Sequence, residues 1–327
     1  MVDAGPVLVT GAYGLIGHEV TLQLHARGTR VVAADRLGAV PEDSDITSVS
    51  LDINGIDAIM DVIREYRITS IVHAAGVSGP MLGRQAPHAV LHTNIGGTLD
   101  LFEAARRTGV RRIVVLSSAS AYGATGEAPV TEASSLAAND VYGSSKIGGE
   151  LIARAYAAHH GVEAVILRPC WVYGRRRRTA CVLMTMIGDA LAGRPTHLHY
   201  GRDFPRQFVH VGDVARACIR SLDGAGISGR AFNIADGARM TIDAVAARIA
   251  SKLPSASITL EPGADPDDYL IGQLDISAAG RILGWQPQVT LDAGIDQLIE
   301  ALKPVSPAEQ VRQTATRDPN AMANPND

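Results

Sequence analysis

The sequence has 327 residues, 46% of them hydrophobic and 20% charged, which is typical of a soluble globular protein with a substantial core. Its net charge of −4 excludes the strong basic field of nucleic-acid-binding proteins, and no apolar run is long enough to span a bilayer. We therefore predict neither a nucleic-acid partner nor a membrane partner. Cys170, Cys181 and Cys218 lack metal-ligand spacing, which predicts reduced thiols in the cytoplasm and no metal site. A strand-like run begins at Pro6, so we expect no signal peptide before it.

Short apolar and β-branched runs alternate with helical patterns through the first half of the chain. The strand-like runs are 6–10, 30–34, 47–51, 69–73, 112–117 and 162–168. The helical patterns between them cover 15–27, 55–66, 94–108 and 143–160. This alternation predicts an α/β fold with a Rossmann-type doubly wound parallel sheet, covered by helices on both faces.

The alternation loosens after residue 170. The patterns there predict a helix, a strand, a second helix and a second strand, at 181–192, 206–211, 212–222 and 231–237. We predict an NAD-binding Rossmann domain formed by residues 1–170 and 207–237, and a smaller C-terminal substrate lobe formed by 171–206 and 238–303. Residues 304–327 are polar and rich in Pro and Asn, which predicts a disordered tail.

The first strand runs into the segment TGAYGLIG at 10–17, which places three glycines before and inside a helix. Gly11 permits a tight turn, Gly14 lets the backbone approach a pyrophosphate, and Gly17 lets the helix pack on the strand. The free N–H groups at the start of a helix near Leu15 would face the anion. The pattern predicts dinucleotide binding; the alternative is a tight turn with no ligand.

Acidic residues follow the second and third strands. Asp35 lies eighteen residues after Gly17, where a carboxylate can bind both ribose hydroxyls of NAD and repel the extra phosphate of NADP. Arg36 would soften that preference. Asp52 either accepts from the adenine amino group or caps the next helix. NAD is the predicted cofactor.

Lys146 is one of only three lysines in the chain, and it lies four residues after Tyr142. On a helix these positions share a face, so the ammonium would stand beside the phenol and favour the phenolate. Such a tyrosine can take the proton of a secondary alcohol while a hydride leaves the same carbon. Ser118 ends a strand and either holds the substrate oxygen or only caps the strand end. We predict that Ser118, Tyr142 and Lys146 are catalytic.

Several motifs in order resemble the short-chain dehydrogenase/reductase superfamily, in its extended branch, the NAD-dependent epimerase/dehydratase family. The resemblance covers roughly residues 6–302. It rests on TGAYGLIG at 10–17, HAAG at 73–76, Asn94, SSASAYG at 117–123, YGSSK at 142–146, LRPCWVYG at 167–174, RQFVHVGDVARA at 206–217 and DISAAGRILGWQP at 275–287.

The resemblance implies the same catalytic set and a wider set of cofactor contacts. The implied NAD-binding residues are Gly11, Tyr13, Gly14, Leu15, Ile16, Gly17, Asp35, Arg36, Asp52, Ile53, Ala74, Ala75, Gly76, Asn94, Tyr142, Lys146, Pro169 and Cys170. It also implies a homodimer packed through the helices at 94–108 and 143–160. Small and apolar residues of these helices agree with that packing or with packing on the sheet alone: Gly96, Ala104, Ile147, Leu151 and Ala155.

The chain departs from the family at its substrate end, where Ser78, Ser118, Trp171 and Arg206 are the predicted substrate-binding residues. Family dehydratases carry an Asp-Glu pair where this chain has Ala119-Ser120-Ala121, so dehydration is disfavoured. Many nucleotide-sugar enzymes of the family have Asn in place of Trp171, whose bulky indole would fill sugar or diphosphate space or stack on a sugar face.

Charged residues near that end decide which substrates fit. Arg206 either binds a substrate phosphate or forms a surface salt bridge. The family's usual second arginine is absent from 261–275, where Asp265, Asp267 and Asp268 would repel an anion. The Arg175–Arg178 run either holds an acidic substrate or is a solvated loop.

These features predict an NAD-dependent sugar epimerase-type enzyme that oxidises a secondary alcohol of a carbohydrate-like substrate, with a tyrosine as base. The alternative is an NAD-dependent dehydrogenase of a non-nucleotide sugar, sugar acid or polyol, because releasing the ketone and NADH needs the same residues. A remote alternative is a non-catalytic NAD-binding regulator, which expects a broken catalytic set. We predict that an ordinary UDP- or dTDP-sugar is not the natural substrate.

Overall fold

The computed structural model describes residues 5–36, 45–179, 181–266 and 268–303. The predicted tail at 304–327 and Asp267 lie outside the described residues. No helix in the described part of the chain has the length and apolar character needed to cross a membrane.

The described residues form short strands and helices in alternation. The strands are β1 (Val7–Thr10), β2 (Val31–Asp35), β3 (Thr47–Ser50), β4 (Ser70–His73), β5 (Arg112–Leu116), β6 (Glu163–Pro169), β7 (Trp171–Tyr173), β8 (Thr196–Leu198), β9 (Pro205–His210), β10 (Ala231–Ile234), β11 (Arg239–Thr241) and β12 (Ile258–Leu260). The α-helices are α1 (Leu15–Ala26), α2 (Ile56–Tyr66), α3 (Pro80–Gln85), α4 (Pro87–Leu91), α5 (Gly97–Thr108), α6 (Val141–His159), α7 (Val182–Leu191), α8 (Val211–Asp223), α9 (Ile242–Lys252) and α10 (Leu291–Leu302).

Seven strands form one parallel sheet in the order β10-β6-β5-β4-β1-β2-β3. The order reverses at β1, which pairs with β2 on one side and β4 on the other. Loops after these strands therefore diverge to opposite faces and leave a crevice at the carboxyl ends, where ligands bind in open α/β sheets. The predicted Rossmann-type α/β fold is confirmed.

Two apolar cores cover the sheet, one on each face. Alternate residues of β1 divide between them, since Val7 and Val9 belong to the core with α1 and α8, whereas Leu8 belongs to the core with α2, α5 and α6. Burial on both faces explains why the strands are rich in apolar residues, apart from the edge strand β3, whose residues Thr47–Ser50 are exposed or half-buried.

The remaining strands form two small sheets beside the large one. In the first, β9 pairs with β7 in parallel and with β11 in antiparallel orientation; in the second, β8 pairs with β12. A third apolar core joins these strands to α7, α9 and α10. The division into two lobes at residues 170, 206 and 237 remains a prediction.

Two predicted elements differ from the structure by more than two residues at one end. The strand predicted at 231–237 ends at Ile234, because the carboxylate of Asp236 accepts the N–H of Ala238 at 3.0 Å and turns the chain. The helix predicted at 94–108 is a π-helical turn at His92–Gly96 followed by α5. Apolar periodicity over five residues does not distinguish a π-helical turn from an α-helical one.

Candidate active site

Tyr142 and Lys146 lie on the first turns of α6. The carboxylate of Asp140 caps this helix by accepting the N–H groups of Tyr142 and Gly143 at 2.8 and 3.0 Å. The ammonium of Lys146 donates to the carbonyl of Leu116 at 2.9 Å and lies 5.6 Å from the centroid of the Tyr142 ring. The end of β5 thus holds the ammonium against the tyrosine.

Ser118 follows the same strand and lines the same cavity. Its Oγ accepts the N–H of Ser120 at 3.1 Å, which caps a short 3-10 helix at Ala119–Tyr122, and its hydroxyl donates to Ser120 Oγ at 3.1 Å. Ser118 therefore caps the 3-10 helix and also lines the cavity. The structure brings Ser118, Tyr142 and Lys146 together; their catalytic roles remain a prediction.

The predicted site residues divide between two neighbouring cavities. A cavity of about 400 Å³ is lined by Gly14, Leu15, Ile16, Ala74, Gly76, Ser78, Ser118, Tyr142, Lys146, Pro169, Cys170, Trp171 and Arg206. A smaller one of about 60 Å³ is lined by Gly11, Asp35, Arg36, Asp52, Ile53 and Ala75. Tyr13, Gly17 and Asn94 line neither cavity.

The glycine turn has the close contacts that a dinucleotide cradle needs. Gly11 has φ +67°, and a Cβ there would lie 2.6 Å from the Ala75 nitrogen. A Cβ at Gly17 would overlap the Gly11 carbonyl oxygen, so α1 packs directly on the turn. Gly14 is the cap residue of α1 and lines the larger cavity. The turn therefore fits the pyrophosphate of NAD.

The smaller cavity fits the adenosine end of NAD. Asp35 accepts the N–H of Tyr13 at 3.1 Å, which fixes its carboxylate beside the turn. Asp52 accepts from the backbone and side-chain amides of Asn54, and the backbone contact lowers the pKa of Asp52. Because α2 begins after Gly55, the interpretation of Asp52 as its cap is wrong.

Asn94 lies behind the larger cavity. Its Oδ1 accepts the N–H of Val77 at 2.8 Å, and its Nδ2 donates to the Val77 carbonyl and to Ser145 Oγ. These bonds tie the loop after β4, including Gly76 and Ser78, to α6. A direct contact of Asn94 with NAD remains a prediction.

His73 is buried at the carboxyl end of β4, below the loop that lines the cavity. It bridges two threonines, with Nδ1 2.9 Å from Thr10 Oγ1 and Nε2 3.1 Å from Thr98 Oγ1. Burial, together with the nearby ammonium of Lys146, lowers the pKa of His73 to about 3. The ring is therefore neutral near pH 7 and joins β1, β4 and α5 through hydrogen bonds.

Arg206 is enclosed at the other end of the larger cavity. Its Nε donates to Asp268 Oδ2 at 2.8 Å, its Nη2 binds Asp265, and its guanidinium lies 4.0 Å from the Trp171 ring centroid. The Trp171 indole N–H donates to Asp268 Oδ2 at 2.7 Å. The salt bridge predicted as the alternative is therefore present but buried, and Asp265 and Asp268, two of the residues predicted to repel an anion, both bind the guanidinium of Arg206.

The four arginines at 175–178 differ in how exposed their side chains are. Arg175 and Arg178 are exposed, whereas Arg176 and Arg177 are half-buried; Arg176, Arg177 and Arg178 line the cavity. Arg177 donates to the Val172 carbonyl at 2.5 Å and lies over the Trp171 ring. Two guanidinium groups over this ring leave little room for a sugar to stack on it.

Gln207 and Ser120 are among the polar residues of the larger cavity that sequence reasoning missed. Gln207 Oε1 accepts the N–H of Leu274 at 2.8 Å, and its Nε2 is buried without a hydrogen-bond partner in the described part of the chain. Its position beside Arg206 in the RQF segment was the available signal. For Ser120, the signal was its place among the small residues that replace the dehydratase acids.

The chain resembles known enzymes over most of its length. The family model for the NAD-dependent epimerase/dehydratase family matches residues 7–235. A UDP-glucose 4-epimerase of Mycolicibacterium smegmatis is 31% identical over 308 residues, 90% of this chain and 97% of that protein.

Solved structures agree with this match. The UDP-glucose 4-epimerase of Thermus thermophilus in complex with NAD is 26% identical with a TM-score of 0.83, covering 92% of this chain and 100% of that one. MoeE5 in complex with UDP-glucuronic acid and NAD is 28% identical with a TM-score of 0.83, covering 91% of this chain and 98% of that one. The chain therefore belongs to the NAD-dependent epimerase/dehydratase family, enzymes of the extended short-chain dehydrogenase/reductase type whose cofactor is NAD.

Proposed function

We propose that this enzyme oxidises a secondary alcohol of a carbohydrate-like substrate, with Tyr142 as the base. The observation that carries the proposal is the single cavity that Tyr142, Lys146 and Ser118 share with Gly14 and the start of α1. The names of the relatives, which include UDP-glucose and UDP-glucuronate 4-epimerases, support a carbohydrate substrate.

Each of the three side chains has a distinct task in this proposal. Tyr142 takes the hydroxyl proton of the substrate, and the adjacent ammonium of Lys146 stabilises the resulting phenolate. Ser118 binds the reacting oxygen, while its contact with Ser120 orients its hydroxyl. When bound, NAD supplies the hydride acceptor.

The cofactor residues follow the two cavities. The turn at Gly11–Gly17 and the start of α1 receive the pyrophosphate, and Asp35 binds the adenosine ribose. Asp52 faces the adenine. This arrangement leaves the nicotinamide end beside Pro169, Cys170 and Tyr142, which all line the larger cavity.

Epimerisation is the leading outcome, and dehydrogenation is the second candidate. Dehydration lacks its acid–base pair, because Ala119 and Ser120 stand where dehydratases carry Asp and Glu. An epimerase must rotate its ketone intermediate so that the hydride returns to the opposite face. The intermediate stays bound during this rotation only if the enzyme holds a part of it outside the reacting ring. The enclosed Arg206 weakens the usual phosphate anchor and so favours release of the ketone and NADH.

The experiment that tests the base is Tyr142→Phe. The enzyme is incubated with NAD and UDP-, dTDP- and GDP-sugars, free sugars, sugar acids and sugar phosphates; chromatography detects epimers and absorbance detects NADH. On the substrate found, the variant should lose turnover and still bind NAD in calorimetry, since only the titrating oxygen is removed. Substantial residual turnover would show that another group is the base.

A homodimer and a cytoplasmic location are also proposed. Leu99 on α5 and Leu151 on α6 are 44% and 61% exposed, which supports pairing of these helices with a second copy, whereas Ala104 is buried in the monomer core. Leu151→Glu should shift the mass measured by light scattering from dimer to monomer; a monomeric wild type contradicts the proposal.

The free thiols of all three cysteines support a reducing compartment.

A further inference from the structure

The side chains of Arg206, Asp265, Asp268 and Trp171 form a closed group, here named the Arg206 cluster. We propose that this cluster excludes a substrate diphosphate, and that the substrate is a sugar acid: a polyhydroxy monocarboxylate of monosaccharide size. The inference rests on the proposed oxidation of a secondary alcohol and specifies its substrate class.

Within the cluster, Asp265 and Asp268 already form ion pairs with the guanidinium of Arg206. The side chains of Arg206, Asp265 and Asp268 are only 1%, 5% and 7% exposed. Burial raises the pKa of Asp268, while the guanidinium of Arg206 and the indole of Trp171 oppose that rise by stabilising the carboxylate. Two carboxyl groups surround the single guanidinium, so a diphosphate beside the cluster would face these acids rather than a free cation.

A phosphate could bind Arg206 only by displacing Asp265 or Asp268, and that displacement would cost much free energy. A carboxylate that leaves the guanidinium stays buried and unpaired, which is strongly unfavourable. The loop that carries Asp268 is also anchored, because the hydroxyl of the adjacent Tyr269 contacts the Asp140 carboxylate at 2.5 Å. Asp140 caps the catalytic helix, so the loop and α6 are held together.

Two donors at this end remain available to a ligand. Arg206 Nη1 and Gln207 Nε2 are buried and lack hydrogen-bond partners within the described residues, and both side chains line the cavity. A buried donor without a partner is unfavourable until a ligand supplies an acceptor. Two single donors match hydroxyl or carboxylate oxygens of a small ligand, whereas a diphosphate needs several charged donors.

The charge of the cavity favours a negative group on that ligand. Its charged lining side chains are Lys146, Arg176, Arg177, Arg178, Arg206 and Asp268, five basic and one acidic. Lys146 stands at the catalytic tyrosine, whereas exposed Arg178 lies outside the Arg206 cluster. A single carboxylate is attracted by this basic lining without requiring the clamp that Arg206 no longer provides.

The first test measures UDP binding by calorimetry at pH 8. The wild type should show no saturable binding of UDP, and Asp265→Asn with Asp268→Asn should gain at least about tenfold affinity because Arg206 is released. The control, Asp61→Asn with Asp243→Asn, removes two exposed carboxylates and should behave as the wild type. Saturable UDP binding by the wild type, or no gain in a double variant shown by circular dichroism to be folded, overturns the exclusion.

The second test compares sugar acids with matched neutral sugars and UDP-sugars on the wild-type enzyme with NAD. Sugar acids should give a kcat/KM at least about tenfold higher than neutral sugars, and UDP-sugars should give no turnover. Gln207→Glu keeps the acceptor for Leu274 but replaces the Nε2 donor, so KM for the acid should rise about tenfold with a smaller change in kcat. Turnover of a UDP-sugar, or an unchanged KM, overturns the proposal.

These outcomes are separable from failure of the proposed function. Residual turnover in Tyr142→Phe would overturn the base without changing UDP binding. Conversely, efficient turnover of a UDP-sugar that requires Tyr142 would retain the base and overturn the substrate class.

Discussion

The cofactor end and the substrate end of the cavity are built in different ways. At the cofactor end, one continuous segment, 10–17, supplies the turn, the start of α1 and the backbone N–H groups. At the substrate end, Trp171, Arg206 and Asp268 come from segments far apart, and the Arg206–Asp268 bond joins positions 62 residues apart. The first end depends on local backbone geometry, whereas the second depends on how distant loops meet.

Lys146→Arg tests the junction between the two ends and should have the largest effect. The Lys146 ammonium fits between the Leu116 carbonyl and the Tyr142 ring, and a planar guanidinium cannot occupy the same compact position. We expect kcat to fall by about 100-fold or more while NAD still binds. Lys252→Arg, on a lysine paired with Asp296, is the matched control. A kcat within a few-fold of wild type would show that the ammonium is not required.

Gly17→Ala breaks the cofactor end alone. The new Cβ would overlap the Gly11 carbonyl and push α1 away from the turn, so NAD affinity in calorimetry should fall by about tenfold or more. Gly188→Ala is the matched control, because it also lies in a helix and has open space around its Cβ position. Equal NAD affinity in the two variants would contradict a tightly packed turn.

The choice between NAD and NADP tests the role of Asp35 at the cofactor end of the cavity. We expect NAD to bind more tightly than NADP, because Asp35 faces the 2′-phosphate. Asp35→Asn keeps an acceptor for the Tyr13 N–H. This variant should reduce the preference for NAD over NADP, because NAD binding weakens and NADP binding strengthens. Calorimetric titration with both cofactors measures this. Tighter NADP binding by the wild type would mean that Arg36 governs the choice.

The last expected effect is on stability rather than on turnover or binding, and it is a pH dependence from His73. Its pKa is about 3 when folded and 6.5 when unfolded, so the unfolded state binds the proton first as pH falls. The free energy of unfolding should therefore fall between pH 6.5 and 3, by about 1.4 kcal/mol per pH unit from this residue. Urea denaturation of wild type and His73→Gln at pH 7 and 5 measures the difference.

The comparison with His73→Gln is needed because other groups titrate in this range. Burial raises the pKa of Asp236 to about 6, and that shift has the opposite sign, since protonation on acidification favours its folded state. The same pH dependence in both proteins would show that His73 is not the cause.

The sequence predicted the large sheet well because its strands, apart from the edge strand β3, are largely buried on both faces and therefore rich in apolar residues. It also predicted the turn at 10–17, since the glycines act on their immediate neighbours. It did not predict β8 and β12, whose three residues each are paired only through tertiary packing. For the same reason it identified Arg206 and Asp268 as charged residues without predicting that they bind each other.

Trp171 makes the substrate end optically distinguishable from the rest of the molecule. The chain has only two indoles, and the other, Trp285, is 2% exposed and donates to the Asp213 carbonyl within the core of α1 and α8. Trp171 instead borders the cavity between guanidinium groups and the Asp268 carboxylate. Because nearby charges alter indole emission, a fluorescence change on adding a ligand would originate mainly from Trp171. The protein therefore carries an intrinsic reporter at the end of the cavity where we propose that its substrate binds.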